Sequence, residues 1–306
     1  MRDFTQHYWR TLTKMDLELL LAAALFEDTE TLGDLTSLAL IPETAQGSAT
    51  ITARTDGVVV GIPLVSLIMS MIDPILVWEP ALEDADNLTN GASVGTLRGP
   101  ACSLLTAERP ILNFLSRLSG IATLTRKYVD AIQGTKASIY DTRKTTPGWR
   151  RLEKYAVCCG GGKNHRTGLF DAVLIKDNHL ALGRQGSKPF SPAEAVIRAK
   201  EFLQLRFADL PNVACPIVEI EVDTLEQLKE VLSTEPDIVL LDNMTLLQIA
   251  EAVQIRNSLN PNVQLEASGG VTLNTVRSIA ETGVERISIG ALTHSAGSLD
   301  FGLDWD

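Results

Sequence analysis

The sequence predicts an α/β protein in two parts, a small mixed layer followed by a parallel sheet, and three observations predict it. First, 306 residues favour two domains or one large barrel and give ample chain for a core. Second, from Ser138 onward short apolar runs alternate with helical patterns at a repeat of roughly twenty-odd residues, as parallel strands joined by crossover helices require. Third, nearly every run ends in a polar or small residue: Asp141, Lys176, Glu221, Asp242, Ser268 and Gly290. Six strands fall short of a complete (β/α)8 barrel, so an incomplete six-stranded barrel competes with an open doubly wound sheet. Functional residues at all six strand ends favour the barrel, because a ring converges them on one site.

In chain order, an apolar helix is expected over 15–26, leading into Gly33-Asp34-Leu35-Thr36-Ser37. Residues 49–62 alternate around Asp56-Gly57, where glycine would supply the positive φ of a tight turn, so a β-hairpin is expected. A helix over 63–71 and strands over 93–97 and 101–105 complete a small α+β layer. Leu112, Leu115, Leu118, Ile121 and Ala122 recur at helical spacing, predicting a long helix over 106–132 that bridges two domains, 1–127 and 128–306. The later strands are expected over 138–141, 172–176, 217–222, 238–242, 263–267 and 286–290. Between them Ser191-Pro192-Ala193-Glu194 has the form of a capping box opening a helix to about Phe207. Thr224 and Thr272 read as caps of later helices and Gly283 as a helix stop.

Lys plus Arg number 27 against 38 Asp plus Glu, a net charge of -11 that argues against nucleic acid as a partner. The apolar run over 19–26 is too short to span a bilayer and is flanked by Glu18 and Glu27, so no membrane association is expected and the chain reads as cytoplasmic. Cys102, Cys158, Cys159 and Cys215 form no CxxC pair and read as reduced, buried thiols.

Charge is uneven. Between Asp141 and Lys176 eight Lys or Arg face three acids, so this stretch carries +5 and the rest of the chain -16. Pro147-Gly148 and the run Gly160-Gly161-Gly162-Lys163-Asn164-His165-Arg166 punctuate it in a way that a solvated basic helix does not need, and a pocket for a small polyanion is expected. The run is not a nucleotide P-loop, since Val157 stands at the first glycine's place and Asn164 follows the lysine. Lys176, at a strand end before Asp177-Asn178-His179, suits an anion clamp or a Schiff-base nucleophile. Glu219 and Glu221 share one face of a strand and Asp242 ends the next; such carboxylates suit magnesium and sugar hydroxyls, while an ion pair suits Glu219 equally. Ser268-Gly269-Gly270 and Ser288-Ile289-Gly290-Ala291 let backbone amides approach a phosphate.

On these residues the sequence resembles the quinolinate phosphoribosyltransferase family, the decarboxylating nicotinate-nucleotide pyrophosphorylases of NAD biosynthesis. The motifs that carry the resemblance run from Glu27 and Gly33 to Ser37 through Glu108-Arg109, Asp141-Thr142-Arg143-Lys144-Thr145-Thr146-Pro147-Gly148, the glycine run to Arg166, Lys176-Asp177-Asn178-His179, Glu219-Ile220-Glu221-Val222, Leu241-Asp242-Asn243-Met244 and Ala267 to Gly270. The resemblance implies an N-terminal open α/β sandwich, a C-terminal six-stranded incomplete α/β barrel, and a homodimer, or a higher oligomer of dimers, whose sites are completed by the neighbour's N-terminal domain. It implies that Arg109 of that neighbour, Arg143, His165, Arg166 and Lys176 hold quinolinate. Lys144 would face the pyrophosphate of phosphoribosyl pyrophosphate, and Glu221 and Asp242 the ribose and magnesium, held directly or through water. Ser268, Gly269, Gly270, Gly290, Ala291 and His294 would take the 5-phosphate side. Lys144, Lys176, Glu221 and Asp242 are the implied catalytic set. Pro110 departs from the family pattern, and residues 6–14 and the tail from Leu299 match none of it. The competing readings are a ModD-like relative associated with molybdenum uptake, a Schiff-base barrel lyase using Lys176, and a phosphate-ligand sensor without turnover.

Overall fold

The computed structural model describes residues 2–185, 188–210 and 214–306. After a 3-10 turn at Trp9–Thr11 come α1 (Lys14–Thr29), α2 (Leu35–Leu40), β1 (Gln46–Ala53), β2 (Gly57–Val58), α3 (Ile62–Ile72), β3 (Val77–Pro80), β4 (Asn87–Leu88), β5 (Ser93–Pro100) and α4 (Ala101–Ala131). There follow β6 (Ser138–Tyr140), α5 (Arg150–Cys159), β7 (Ala172–Ile175), α6 (Asp177–Leu182), β8 (Arg184–Gln185), β9 (Lys188–Pro189), α7 (Pro192–Phe207), β10 (Ile217–Val222) and α8 (Leu225–Leu232). The chain closes with β11 (Ile238–Asp242), α9 (Leu246–Leu259), β12 (Gln264–Ser268), α10 (Val276–Glu281), β13 (Arg286–Ser288), α11 (Ala291–His294) and β14 (Phe301–Trp305).

These elements form two compact units that a single cut at 127/128 does not separate. One comprises His7–Arg126, Lys144–Gly162 and Ala291–Asp306; the other comprises Met1–Gln6, Lys127–Arg143 and Lys163–Gly290. No helix among the described residues is long and apolar enough to cross a membrane.

The first unit is built on an antiparallel sheet in the order β14-β1-β5-β3. Here the expected hairpin fails: β1 pairs with β5 and β14, whereas β2 pairs with β4. Gly57 serves close packing instead of a left-handed turn, since a Cβ there would lie 2.5 Å from Leu299 and 2.6 Å from the Thr123 hydroxyl. That hydroxyl accepts the Val58 N–H at 2.9 Å. The strand expected over 101–105 is the first turn of α4, which starts directly after Pro100 and runs 31 residues with Pro110 inside it. The unplaced tail supplies the edge strand β14, a role that only its partner β1 could reveal. The cationic stretch is not a solvated face either: Glu153 and Lys154 of α5 are fully buried, and Glu153 accepts from Arg117 at 2.7 Å and from the Thr146 hydroxyl at 2.9 Å.

The second unit holds a six-stranded sheet, β6-β13-β12-β11-β10-β7, with every neighbouring pair parallel. No described strand pair joins β6 to β7, so the ladder is an incomplete barrel, and the free edge of β6 takes a bridge from Tyr140 to Lys163. Hydroxyl caps start two crossover helices where their pattern predicts, Ser191 accepting from Glu194 N and Thr224 from Gln227 N, and Thr245, not among the expected caps, accepts from Gln248 N in the same way. Thr272 is not a helix cap; α10 begins at Val276 after Thr275, whose hydroxyl accepts the Thr272 N–H. Gly283, at φ +98°, lies just past that helix as expected.

Alternation gives this sheet two faces. Ile220, Val222, Val239, Leu241, Leu265, Ala267 and Ile287 are buried on one. Along the strands the other face carries Ala172, Ile217 and Ile238 at the amino ends, then Leu174, Glu219, Leu240, Glu266 and Arg286, then Glu221, Asp242, Ser268 and Ser288 toward the carboxyl ends. Apolar, buried-charged and polar layers therefore follow one another along the strands, and in the last Glu221, Asp242 and Ser268 are partly exposed.

Candidate active site

The carboxyl-end layer brings together the residues expected from the strand ends. Lys176 follows β7 directly, and its Nζ donates to Glu221 Oε2 near the end of β10. Asp242 ends β11 and Ser268 ends β12, in register with each other. Asn243, at φ +52°, donates its side-chain amide to Asp242 at 2.7 Å and its backbone N–H to Ser268 O at 3.0 Å. This lays the Asn243 side chain across Gly269, where a Cβ would fall 2.1 Å from its Oδ1, so the loop requires glycine on contact as well as on its φ of +98°. Gly269 and Gly270 are exposed, as a backbone cradle for an anion needs, and Gly290 is half-buried two residues past β13. Glu221 and Asp242 offer hard oxygen donors from neighbouring strands, the donor type magnesium takes.

Arg143 and Arg166 form the cationic side. The Arg143 Nε is buried without a hydrogen-bond partner. Arg166 is 6% exposed and reaches Ala172 O at 3.4 Å. Burial, and then the adjacent Arg143 guanidinium, lower its affinity for its proton, against the attraction of Glu219 and Asp171. Two guanidiniums held close enough to repel suit an anion with more than one charge. Two carboxylates anchor the backbone on either side of Arg166: Asp141 accepts from His165 N at 2.8 Å and from Asn164 Nδ2 at 2.7 Å, while Asp171 takes the Thr167 N–H at 2.7 Å.

His165 stands apart from the other expected quinolinate contacts. It is buried, with Nδ1 accepting the Arg166 N–H at 2.8 Å. Its Nε2 lies 3.0 Å from Glu219 and 3.4 Å from Glu266. Glu266 is in turn bound by Arg286 Nε at 2.8 Å. Burial disfavours a charged imidazole, but Glu219 and Glu266 outweigh it and push His165 up to about 10. The donor types of His165, Glu219 and Glu266 suit a metal, and their atoms lie within 4.8 Å of one another; Arg286 already supplies positive charge at Glu266. His179 turns back on its own helix, its Nδ1 accepting the Lys176 N–H at 2.9 Å.

The remaining expected residues belong to the first unit. The Arg109 side chain is 73% exposed, 3.8 Å from Glu108. Lys144 is exposed, and its carbonyl accepts from the Thr293 hydroxyl at 2.6 Å. Ala291 opens α11 and His294 ends it, exposed, with Nδ1 2.7 Å from the Ser295 hydroxyl. The cysteines carry no disulfide; Cys102, Cys158 and Cys159 are half-buried and Cys215 is exposed, so the expected burial is incomplete.

Sequence reasoning missed the buried charge layer. Its signal was available: Glu266 and Arg286 interrupt apolar strands, and the register sets them side by side on β12 and β13. It missed residues 3–6 as well, which no local pattern marks.

Comparison with known proteins places this geometry in a family context. The model for the quinolinate phosphoribosyl transferase N-terminal domain matches residues 34–119, and that for the C-terminal domain matches residues 121–304. The chain is 42% identical over 283 residues to the nicotinate-nucleotide pyrophosphorylase (carboxylating) of Mycobacterium leprae, covering 92% of this chain and 94% of that one. It is 40% identical over 303 residues to the quinolinate phosphoribosyltransferase (decarboxylating) 1 of Nicotiana glauca, covering 95% and 83% respectively. The solved nicotinate-nucleotide pyrophosphorylase from Francisella tularensis superposes with a TM-score of 0.86 at 36% identity, covering 99% of this chain and 100% of that one.

Proposed function

The chain belongs to the quinolinate phosphoribosyl transferase family, and on that premise we propose that it transfers the phosphoribosyl group of phosphoribosyl pyrophosphate to quinolinate, with decarboxylation, in de novo NAD biosynthesis. The products are nicotinate mononucleotide, pyrophosphate and carbon dioxide. The observation that supports this reading is the nearness of the Arg143 and Arg166 guanidiniums, with Lys176 held by Glu221 after β7, cations suited to the two carboxylates of quinolinate.

The pyridine nitrogen attacks the anomeric carbon as pyrophosphate leaves, which asks little of acid or base catalysis and much of positioning. Arg143 and Arg166 orient the ring through forked, charge-assisted hydrogen bonds, and Lys176, held by Glu221, acts as a clamp. That partnership with Glu221 favours an anion clamp over a Schiff-base nucleophile. The Ser268-Gly269-Gly270 loop and Gly290 present backbone toward the 5-phosphate, and Glu221 and Asp242 would hold magnesium, directly or through water, and the ribose hydroxyls. Magnesium, when bound, neutralises charge on the leaving pyrophosphate. Lys144 takes the pyrophosphate side, with Ala291 and His294 assisting at the 5-phosphate. After transfer the ring nitrogen is cationic and stabilises the electron pair left at carbon 2 as carbon dioxide departs; carbon 2 then takes a proton from water, and the fixed cations keep the product carboxylate in place.

The test is release of carbon dioxide and nicotinate mononucleotide from quinolinate, phosphoribosyl pyrophosphate and magnesium, with nicotinate as the control acceptor. Turnover with quinolinate alone is expected; turnover with nicotinate, or none from folded protein, overturns the reading.

The working unit is a homodimer. Met15, Leu19, Phe26, Leu35, Leu38 and Leu40, on α1 and α2, expose 59–75% of their surface, more apolar area than a solvated pair of helices carries without a use. A second copy covers them and brings its Arg109 to the site. Mixing inactive Arg109→Ala chains with inactive Lys176→Ala chains is therefore expected to restore activity in exchanged dimers, as assayed by product release. Reduced thiols and an acidic surface suit the cytoplasm; some plant relatives carry chloroplastic or mitochondrial in their names, which concerns those proteins.

A further inference from the structure

Residues 3–6 precede every regular element, yet they belong to the compact unit of the parallel sheet. Phe4 is 6% exposed and clusters with Ala172, Ile217 and Ile238, the first residues of β7, β10 and β11. It thereby fills the amino-end layer of the sheet's inner face. Its ring stacks on His165, centroid to centroid 4.4 Å at 29°, and lies 4.9 Å from the Arg286 guanidinium.

The neighbours of Phe4 reinforce this placement. Asp3 accepts from Arg286 at 3.0 Å and from the Tyr140 hydroxyl at 2.9 Å, and lies 3.4 Å from Lys163. Gln6 grips the backbone of Asn164 from both sides, its Oε1 accepting the N–H at 2.7 Å and its Nε2 donating to the carbonyl at 3.1 Å. Residues 3–6 thus touch Lys163, Asn164 and His165 in turn. The next residue, Arg166, hangs from His165 Nδ1 by its own N–H.

We infer that residues 3–6 are a positioning element of the substrate site: Phe4 fixes the His165 ring and Gln6 the Asn164 backbone, and together they set Arg166 against the acceptor carboxylate. The inference rests on the quinolinate reading of Arg143 and Arg166. None of residues 3–6 reaches the carboxyl-end layer, so their effect passes through His165 and Arg166. A plain packing role predicts lower stability with unchanged kinetics; a positioning role predicts a selective loss for one substrate, because small displacements of an orienting group weaken its contacts steeply.

The experiment uses Phe4→Leu, which keeps an apolar filler of similar size and removes the flat ring, and Gln6→Ala as an independent variant. Both are assayed in the full chain beside the wild type, with steady-state kinetics for each substrate and thermal unfolding. The expected result is a rise in KM for quinolinate of about 10-fold or more, with KM for phosphoribosyl pyrophosphate within about twofold of wild type. The double variant Phe4→Leu with Arg166→Ala should show no further rise over Arg166→Ala alone, since both act through one guanidinium. Folded Phe4→Leu and Gln6→Ala proteins with wild-type KM for quinolinate overturn the inference, as do equal losses for both substrates. If wild-type protein itself fails to turn over quinolinate, the functional reading falls instead, so the two failures are distinct.

Discussion

Glu266→Gln is expected to lower the unfolding free energy by about 3–5 kcal/mol, as breaking one side of a buried ion pair generally does. Glu266 is fully buried between His165 and Arg286, and the substitution leaves Arg286, 1% exposed, without its nearest carboxylate. The effect has a definite pH dependence. Burial acts to raise the Glu266 carboxyl, but His165 and Arg286 outweigh it and push the group down to about 2. A carboxyl depressed in the folded state contributes stability above its ordinary value near 4.5, and loses that contribution as pH falls through its folded value. The gap between wild type and Glu266→Gln should therefore be full at neutral pH and shrink as pH falls toward 2. Urea unfolding of both proteins between pH 3 and pH 7 checks this, and a gap that widens on acidification contradicts it.

Arg166→Ala and Arg143→Ala are expected to weaken quinolinate binding by about 1.5–3 kcal/mol each, roughly 10- to 150-fold, because each removes a charge-assisted contact to a carboxylate. Binding of phosphoribosyl pyrophosphate should change little. Removing one guanidinium also relieves the repulsion between the two, so neither variant should lose its fold. Calorimetric titration with quinolinate, alongside unfolding, separates binding from stability. Unchanged affinity in either variant removes that arginine from the quinolinate site.

The legible parts of this protein were those written in short stretches. Strand, helix, strand rhythm from Ser138 onward follows from local apolar spacing, and the caps at Ser191 and Thr224 are local chemistry as well. Strand-end residues could be read because a parallel sheet puts all its carboxyl ends on one edge, whatever the order of its strands. Strand partners were not legible in the same way. The alternation around Asp56-Gly57 suggests a hairpin, but β1 finds lower free energy between β5 and β14, and Gly57 is fixed by the nearness of Thr123 and Leu299.

The sequence by itself determined the chemistry on offer: guanidiniums and lysines in one stretch, carboxylates two apart on a strand, and glycines where backbone must approach a ligand. Only the tertiary structure decided which charges are solvated and which are buried against each other. Glu219, Glu221 and Glu266 are the same residue type within one sheet. One pleat separates the accessible Glu221, bound to Lys176, from Glu219 beside His165. Phe4 reaches His165 across 161 positions of sequence. The physical reason is that composition and periodicity constrain neighbours along the chain, whereas the cost of burying a charge depends on what the folded sheet sets beside it.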